Sequence, residues 1–174
     1  RRQLEGAMQN LKGESDIGWV EFRKGEVESL PLSADEWASF DVGHARFVME
    51  HLSRPDAAMK ELVKAMKPGG RVILEDDDHE SLILYPESAG FTTLWKAYIR
   101  TYDRLGNDPF IGRRLVSLMY DAGLRNMRND VVFFGDCHGT ATFDNFVNNL
   151  IGVVESARPT LIGGKLIDEE SMNT

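Results

Sequence analysis

Three histidines and a run of carboxylates are the side chains of this sequence best suited to chemistry. His44, His51 and His79 carry the ring that titrates nearest neutral pH, so each is a candidate general acid or base. His79 follows Glu75, Asp76, Asp77 and Asp78, which close an apolar run, and so stands at the carboxyl end of an expected strand. His44 alternates with Ala45 in another such run, where a buried structural role competes with catalysis. His51 falls in a helical stretch, and its reading is packing or capping. His79 and His44 are therefore the candidate catalytic residues. The aspartates raise the question of a divalent cation, because hard ions take carboxylate oxygens. Consecutive strand residues point to opposite faces, so three of them do not converge without a bend. No metal site is expected. Cys137-His138 has no companion at ligand spacing and reads as loop.

The elements that must position these groups centre on Phe40 to Asp78, FDVGHARFVMEHLSRPDAAMKELVKAMKPGGRVILEDDD. Phe40 to Ala45 is a short apolar run. Phe47 to Met66 carries apolar residues at helical spacing, interrupted at Pro55. Lys67-Pro68-Gly69-Gly70 stops that helix, and Val72, Ile73 and Leu74 form a second apolar run. The pattern predicts a strand, a helix and a strand, and a right-handed crossover makes the strands parallel neighbours. Ligands in such sheets sit beyond the carboxyl ends of the strands, which points to Gly25 to Glu28, His44 to Arg46 and Asp76 to His79. Elsewhere, helices are expected over Arg1 to Leu11 (with Lys12-Gly13 as a stop), Pro86 to Leu105, Pro109 to Ala122 with Gly123 just beyond its end, and Thr142 to Ala157. Trp19 to Arg23 alternates like a strand, Gly25-Glu26-Val27 reads as a turn, and Val131 to Phe134 reads as a strand. Phe91, Trp95, Tyr98 and Tyr102 share one helical side, as core or pocket wall.

Composition narrows the function classes. The chain of 174 residues suits one domain. Its formal charge of −8 argues against nucleic acid as a partner, since phosphate binding needs a basic face. No apolar run approaches the roughly 20 residues that span a bilayer. The opening segment from Arg1 reads as a polar helix and not as a leader. A single cysteine, Cys137, excludes an internal disulfide framework and suits a reducing cytoplasm.

The run from Phe40 to Asp78 resembles the segment from the fourth strand to the fifth of class I S-adenosylmethionine-dependent methyltransferases, and its EHL…P…KPGGR pattern is similar to their small-molecule branch. The resemblance extends upstream through FRKGEVESLPL and downstream through NDPFIGRRLVSLMYDAGL, from about Trp19 to Phe134. It implies an α/β, doubly wound, Rossmann-like and mostly parallel sheet, here a single partial domain over 1–174. It also implies S-adenosyl-L-methionine as cofactor and methyl transfer to a small-molecule acceptor. Glu26 and Val27 match the positions that meet the adenine, with Glu where the family more often has Asp. Ala45 and Arg46 match positions lining the methionine part of the cofactor, and Arg46 has the alternative of pairing with Glu50 four residues on. Arg113-Arg114 matches a subgroup feature with no assigned role.

No G-x-G-x-x-G turn occurs in the sequence. Under the resemblance, the first two strands and the glycine turn would precede Arg1, and the final hairpin would follow Ala157. The alternative is a non-catalytic fragment or regulatory subunit that lacks the cofactor-binding half. A nucleotide-dependent oxidoreductase of doubly wound fold is a third reading, disfavoured by the KPGG stop and the EHL helix. The expected partner is a small-molecule substrate, with no nucleic acid and no membrane. Unpaired sheet edges are compatible with a homo-oligomer.

Overall fold

A computed structural model describes residues 2–11, 17–133 and 135–173. The chain divides into two compact units, Arg1–His44 with Asp56–Ile73 and Ala45–Pro55 with Leu74–Thr174. The described elements begin with helix α1 (Arg2–Asn10), strand β1 (Phe40–Arg46), helix α2 (Pro55–Ala65) and strand β2 (Met66–Glu75). Helices α3 (Ala89–Ile99), α4 (Leu115–Asp121), α5 (Phe143–Gly163) and α6 (Glu169–Met172) follow.

Strands β1 and β2 form a two-stranded sheet. Gly70 lies against the Phe40 carbonyl, and the Phe47 amide donates to the Glu75 carbonyl at 2.9 Å. Both strands therefore run the same way, and the predicted strand–helix–strand unit is a parallel β–α–β. Pro55 opens α2 instead of interrupting a longer helix, because the first helical position has no amide to lose. A short 3-10 turn, Met49–His51, occupies the stretch before it. The helix stops before Lys67, as expected, but strand β2 begins already at Met66 and takes in the whole Lys-Pro-Gly-Gly run. Gly69 sits at φ +83°, and a side chain on Gly70 would meet the Lys67 and Phe40 carbonyls. Two glycines thus let this strand start without a connecting loop.

In the first unit Met59 is fully buried, with Ala58 and Ala65 nearly so. Gly43 is the close-approach point of β1: an added Cβ would stand 2.7 Å from Leu62 Cδ1 and 3.0 Å from Met66 Cε. The segment before β1 is tied down by polar contacts. Leu30 N donates to Glu61, Ala38 N donates to the Lys64 carbonyl, and the Lys64 ammonium lies over the Trp37 ring. Lys67 pairs with Asp41. Trp19 to Arg23 is not a strand. Ile17–Trp19 is a 3-10 turn, the next residues are irregular, and Trp19 is exposed. Alternation forms a strand only beside an edge to pair with, and among the described residues no third strand offers one. Arg23 instead grips Glu21 and Glu36. The expected turn at Gly25-Glu26-Val27 is present, closed by a bridge between Glu26 and Ser29. Helix α1 is present, while its expected Lys12-Gly13 stop lies outside the described residues.

In the second unit a core of Trp95, Ala97, Val154, Leu161 and Met172 joins α3, α5 and α6. The long helix expected from Pro86 begins only at Ala89, where the Ser88 hydroxyl caps the Phe91 amide, and it ends at Ile99. A 3-10 turn, Tyr102–Leu105, continues the chain and is closed by Gly106 at φ +68°. The second expected helix divides likewise into a 3-10 turn, Ile111–Arg114, and α4. Its end is as read. Gly123 at φ +95° donates to the Tyr120 carbonyl and Leu124 N donates to Met119, the paired bonds of a Schellman cap. Helix α5 outruns its expected end and contains Pro159. Fully buried Leu161 offsets the backbone bond that proline forfeits. Val131 to Phe133 forms no strand and is exposed, again without a neighbouring strand among the described residues, and Phe134 lies outside them. Among the described residues no helix is long and apolar enough to cross a membrane.

Candidate functional site

Beyond the carboxyl end of β2, the three aspartates go three ways. Asp76 turns to the start of the 3-10 turn Met49–His51, where its carboxylate accepts from the amides of Val48 (3.3 Å), Met49 (2.9 Å) and Glu50 (3.4 Å). It thereby fixes the backbone that carries Glu50. Asp78 accepts the Glu80 amide and a two-pronged contact from Arg113, whose guanidinium also reaches Glu80. Asp77 faces Glu50 and His79. One ligand atom from each of these three lies within 4.8 Å of the others.

Glu50 and His79 are both buried. His79 Nε2 stands 2.6 Å from Glu50 Oε2, and the Tyr102 hydroxyl donates to the same oxygen at 3.2 Å. His51 Nε2 lies 3.6 Å from the other Glu50 oxygen. The His79 backbone is held on both sides: its amide donates to Pro109, and its carbonyl accepts Trp95 Nε1 at 2.8 Å. Trp95, Tyr98 and Tyr102 surround the imidazole, with ring centroids 5.4, 5.9 and 5.3 Å away. The aromatic stripe of the sequence is thus both core and the wall of this site.

The electrostatics follow from burial and partners. Burial opposes charge on Glu50, yet the contacts from His79, His51 and Tyr102 outweigh it and hold the carboxyl below its ordinary range. Burial pushes Asp77 up, and the neighbouring Glu50 charge pushes it the same way. Asp76 is also raised, mainly by burial, against the pull of its three amide donors. Burial drives the Tyr102 phenol far above its usual value, so it stays protonated and can donate to Glu50. The Asp77 carboxylate accepts no hydrogen bond from a described residue.

Glycine and arginine in the Ile111-Gly112-Arg113-Arg114 run find a role that sequence reading left open. Gly112 N donates to the Asp77 carbonyl at 3.0 Å, and a Cβ there would stand 2.8 Å from that oxygen and 2.9 Å from the Asp76 carbonyl. Only glycine allows the approach. Arg113 clamps Asp78, and Arg114 pairs with Asp108.

The remaining expected site residues are distributed as follows. Glu26 and Val27 lie exposed on the turn in the first unit, and the Glu26 carboxylate accepts no hydrogen bond from a described residue. His44, also in the first unit, is exposed on β1, not buried. Ala45 and Arg46 end β1 in the second unit; Ala45 is half-buried. Arg46 pairs with Glu75 at 3.7 Å and lies over the Phe47 ring, so Glu75 takes the place of the Glu50 partner expected from helical spacing. A helical pair at four residues needs one continuous helix, and β1 runs through Arg46. His79 is buried, whereas His51, read as a packing residue, has its side chain 56% exposed. The clustering of Glu50 with Asp77 and His79 had no signal in local spacing. Cys137-His138 is loop, as read, with the thiol exposed.

Residues 1–74 match the family model described as "Methyltransferase domain". The chain is 33% identical over 106 residues to an uncharacterized 37.1 kDa protein in transposon TN4556 of Streptomyces fradiae, covering 60% of this chain and 29% of that one. It is 32% identical over 114 residues to an uncharacterized methyltransferase of Schizosaccharomyces pombe, covering 66% of this chain and 39% of the relative. A demethylmenaquinone methyltransferase of Streptomyces avermitilis is 29% identical over 87 residues, 50% of this chain and 34% of its own length. The chain spans about a third of the length of these curated relatives. The matched residues contain the whole connection from β1 to β2. The parallel β–α–β unit and the sequence match agree over residues 1–74, where the chain is similar to methyltransferase domains.

Proposed function

We propose that this chain is part of an enzyme that transfers the methyl group of S-adenosyl-L-methionine to a small organic acceptor. The observation that carries the reading is the coincidence of the methyltransferase match over residues 1–74 with the β–α–β unit whose carboxyl ends bear the polar cluster. When bound, the cofactor supplies an electrophilic methyl group on a sulfonium. The protein's task is chiefly to align donor and acceptor. The residues present fit the cofactor's chemistry. Glu26 offers an exposed carboxylate able to accept from an exocyclic amine, and the Val27 amide follows it on the same turn. Ala45 offers a small side chain, and Arg46 a cation that can exchange Glu75 for a ligand carboxylate.

A base is needed only for acceptors that must lose a proton. His79 is closed in by three aromatic rings and held by Glu50, so the reading assigns it no direct proton abstraction. The charge of −8 and the apolar helices α3 to α5 favour a small acceptor over nucleic acid. A cytoplasmic setting accords with the single free cysteine.

Calorimetric titration of the full-length protein with S-adenosylhomocysteine tests the proposal. Micromolar binding is expected, weakened about tenfold by Glu26→Ala, the loss of one hydrogen bond to a charged group. Absence of binding by the wild-type protein overturns the reading in favour of a non-catalytic relative.

A further inference from the structure

We propose that Glu50, Asp77 and His79 form a binding site for a divalent transition cation, taking one carboxylate oxygen from each acid and one imidazole nitrogen. The three come from separate stretches: the turn after β1, the end of β2 and the turn His79–Ser81. Each is positioned by its own backbone contact. Asp76 fixes the Glu50 turn, Gly112 meets the Asp77 carbonyl, and Pro109 and Trp95 hold His79. Their ligand atoms lie within 4.8 Å of one another. Ligands around a zinc-sized ion at about 2.0–2.2 Å stand roughly 3–3.5 Å apart, so small side-chain rotations close the set.

Charge asks for a cation as well. The Glu50 and Asp77 carboxylates lie close to each other and to the His79 imidazole. Arg46 acts on the Asp77 charge through space, and the Asp77 carboxylate accepts no hydrogen bond from a described residue. A purely structural His79–Glu50 pair would account for Glu50 but not for why the half-buried Asp77 carboxylate, without a hydrogen bond of its own, is brought to the same point. Two oxygens and one nitrogen suit zinc, manganese or iron better than calcium, which takes six to eight oxygens. The Tyr102 hydroxyl on Glu50 Oε2 is the kind of outer contact that orients a ligating carboxylate. The aromatic wall lowers the local dielectric and strengthens the attraction. The inference is independent of methyl transfer.

Chelator-stripped, full-length protein titrated with Zn2+ and with Mn2+ provides the test. One saturable equivalent is expected. Asp77→Asn, which keeps the His79–Glu50 bond, should bind at least about tenfold more weakly, the loss typical of a disturbed metal shell. Glu80→Gln, an acid outside the trio, should bind as the wild type does. In the wild-type protein the ring resonances of His79 should move with Zn2+ while those of His138 stay, a readout that does not depend on any variant folding. No saturable binding, unchanged affinity in Asp77→Asn, equal loss in Glu80→Gln, or an unmoved His79 ring would each overturn the site.

Discussion

Two polar clusters in this protein hold glutamates by short contacts under opposite conditions. In the first unit Arg23 bridges Glu21 and Glu36 at the surface, with contacts of 2.5 to 2.8 Å. In the second, Glu50, His79 and Tyr102 make contacts of 2.6 to 3.3 Å behind an aromatic wall. The distances are alike, but the surroundings are not. Water and salt screen the first cluster and compete for every bond in it. The second is shielded from solvent by burial, so each group there depends on its partner. Short distance alone therefore says little about what a polar cluster contributes.

The largest effect that would sharpen this contrast is expected for Glu50→Ala. Removing the acid leaves the buried His79 and Tyr102 without their shared acceptor, and breaking such a pair costs about 3–5 kcal/mol. Urea unfolding of metal-free protein measures it. A loss below about 1 kcal/mol would mean that the buried cluster behaves like a surface one. A smaller but definite loss is expected for Gly112→Ala. The new methyl would meet the Asp77 and Asp76 carbonyls at 2.8 and 2.9 Å, and both belong to backbone that cannot swing aside. Overpacking of this kind costs about 1–3 kcal/mol. Zinc affinity should fall with it, since Asp77 would be displaced. An unchanged melting curve would show that the Asp76–Asp77 backbone is looser than its contacts indicate.

What could be read in the sequence was local. The spacing of Phe40 to Glu75 fixed both strands and the crossover, because periodicity and a proline–glycine stop are properties of adjacent residues. Gly123 was legible as a cap for the same reason. Trp19 to Arg23 and Val131 to Phe133 were misread because a strand is a property of two segments, and alternation in one is not enough. The start of α3 is set by the Ser88 hydroxyl, a cap that the reading from Pro86 overlooked. The divergence of the three aspartates was expected from strand alternation, but all three lie beyond the end of β2, and their separate partners send them apart instead. The meeting of Asp77 with Glu50 and His79 was not legible, because it depends on how the turn after β1 packs beside the end of β2. Gly112 and Arg113 had no readable role for the same reason: their partners lie some 35 residues away.

The smallest expected effect belongs to the surface cluster, and pH isolates it. Arg23 and the Ser33 amide and hydroxyl hold the Glu36 carboxyl at about 2, against an ordinary 4.5. A carboxyl lowered on folding contributes stability that is complete above the unfolded value and disappears as pH falls through the folded one. Wild type should therefore melt slightly above Glu36→Gln at pH 5 and higher, and the two curves should converge between about pH 4.5 and pH 2. Added salt at about 1 M should shrink the difference at neutral pH, since the Debye length falls to about 3 Å there. The loss in Glu50→Ala should keep its size under the same salt, because screening ions do not enter a buried cluster. Salt-insensitive Glu36→Gln, or a gap in melting temperature that persists at pH 2, would erase the distinction between the two clusters and place Arg23 with the buried groups.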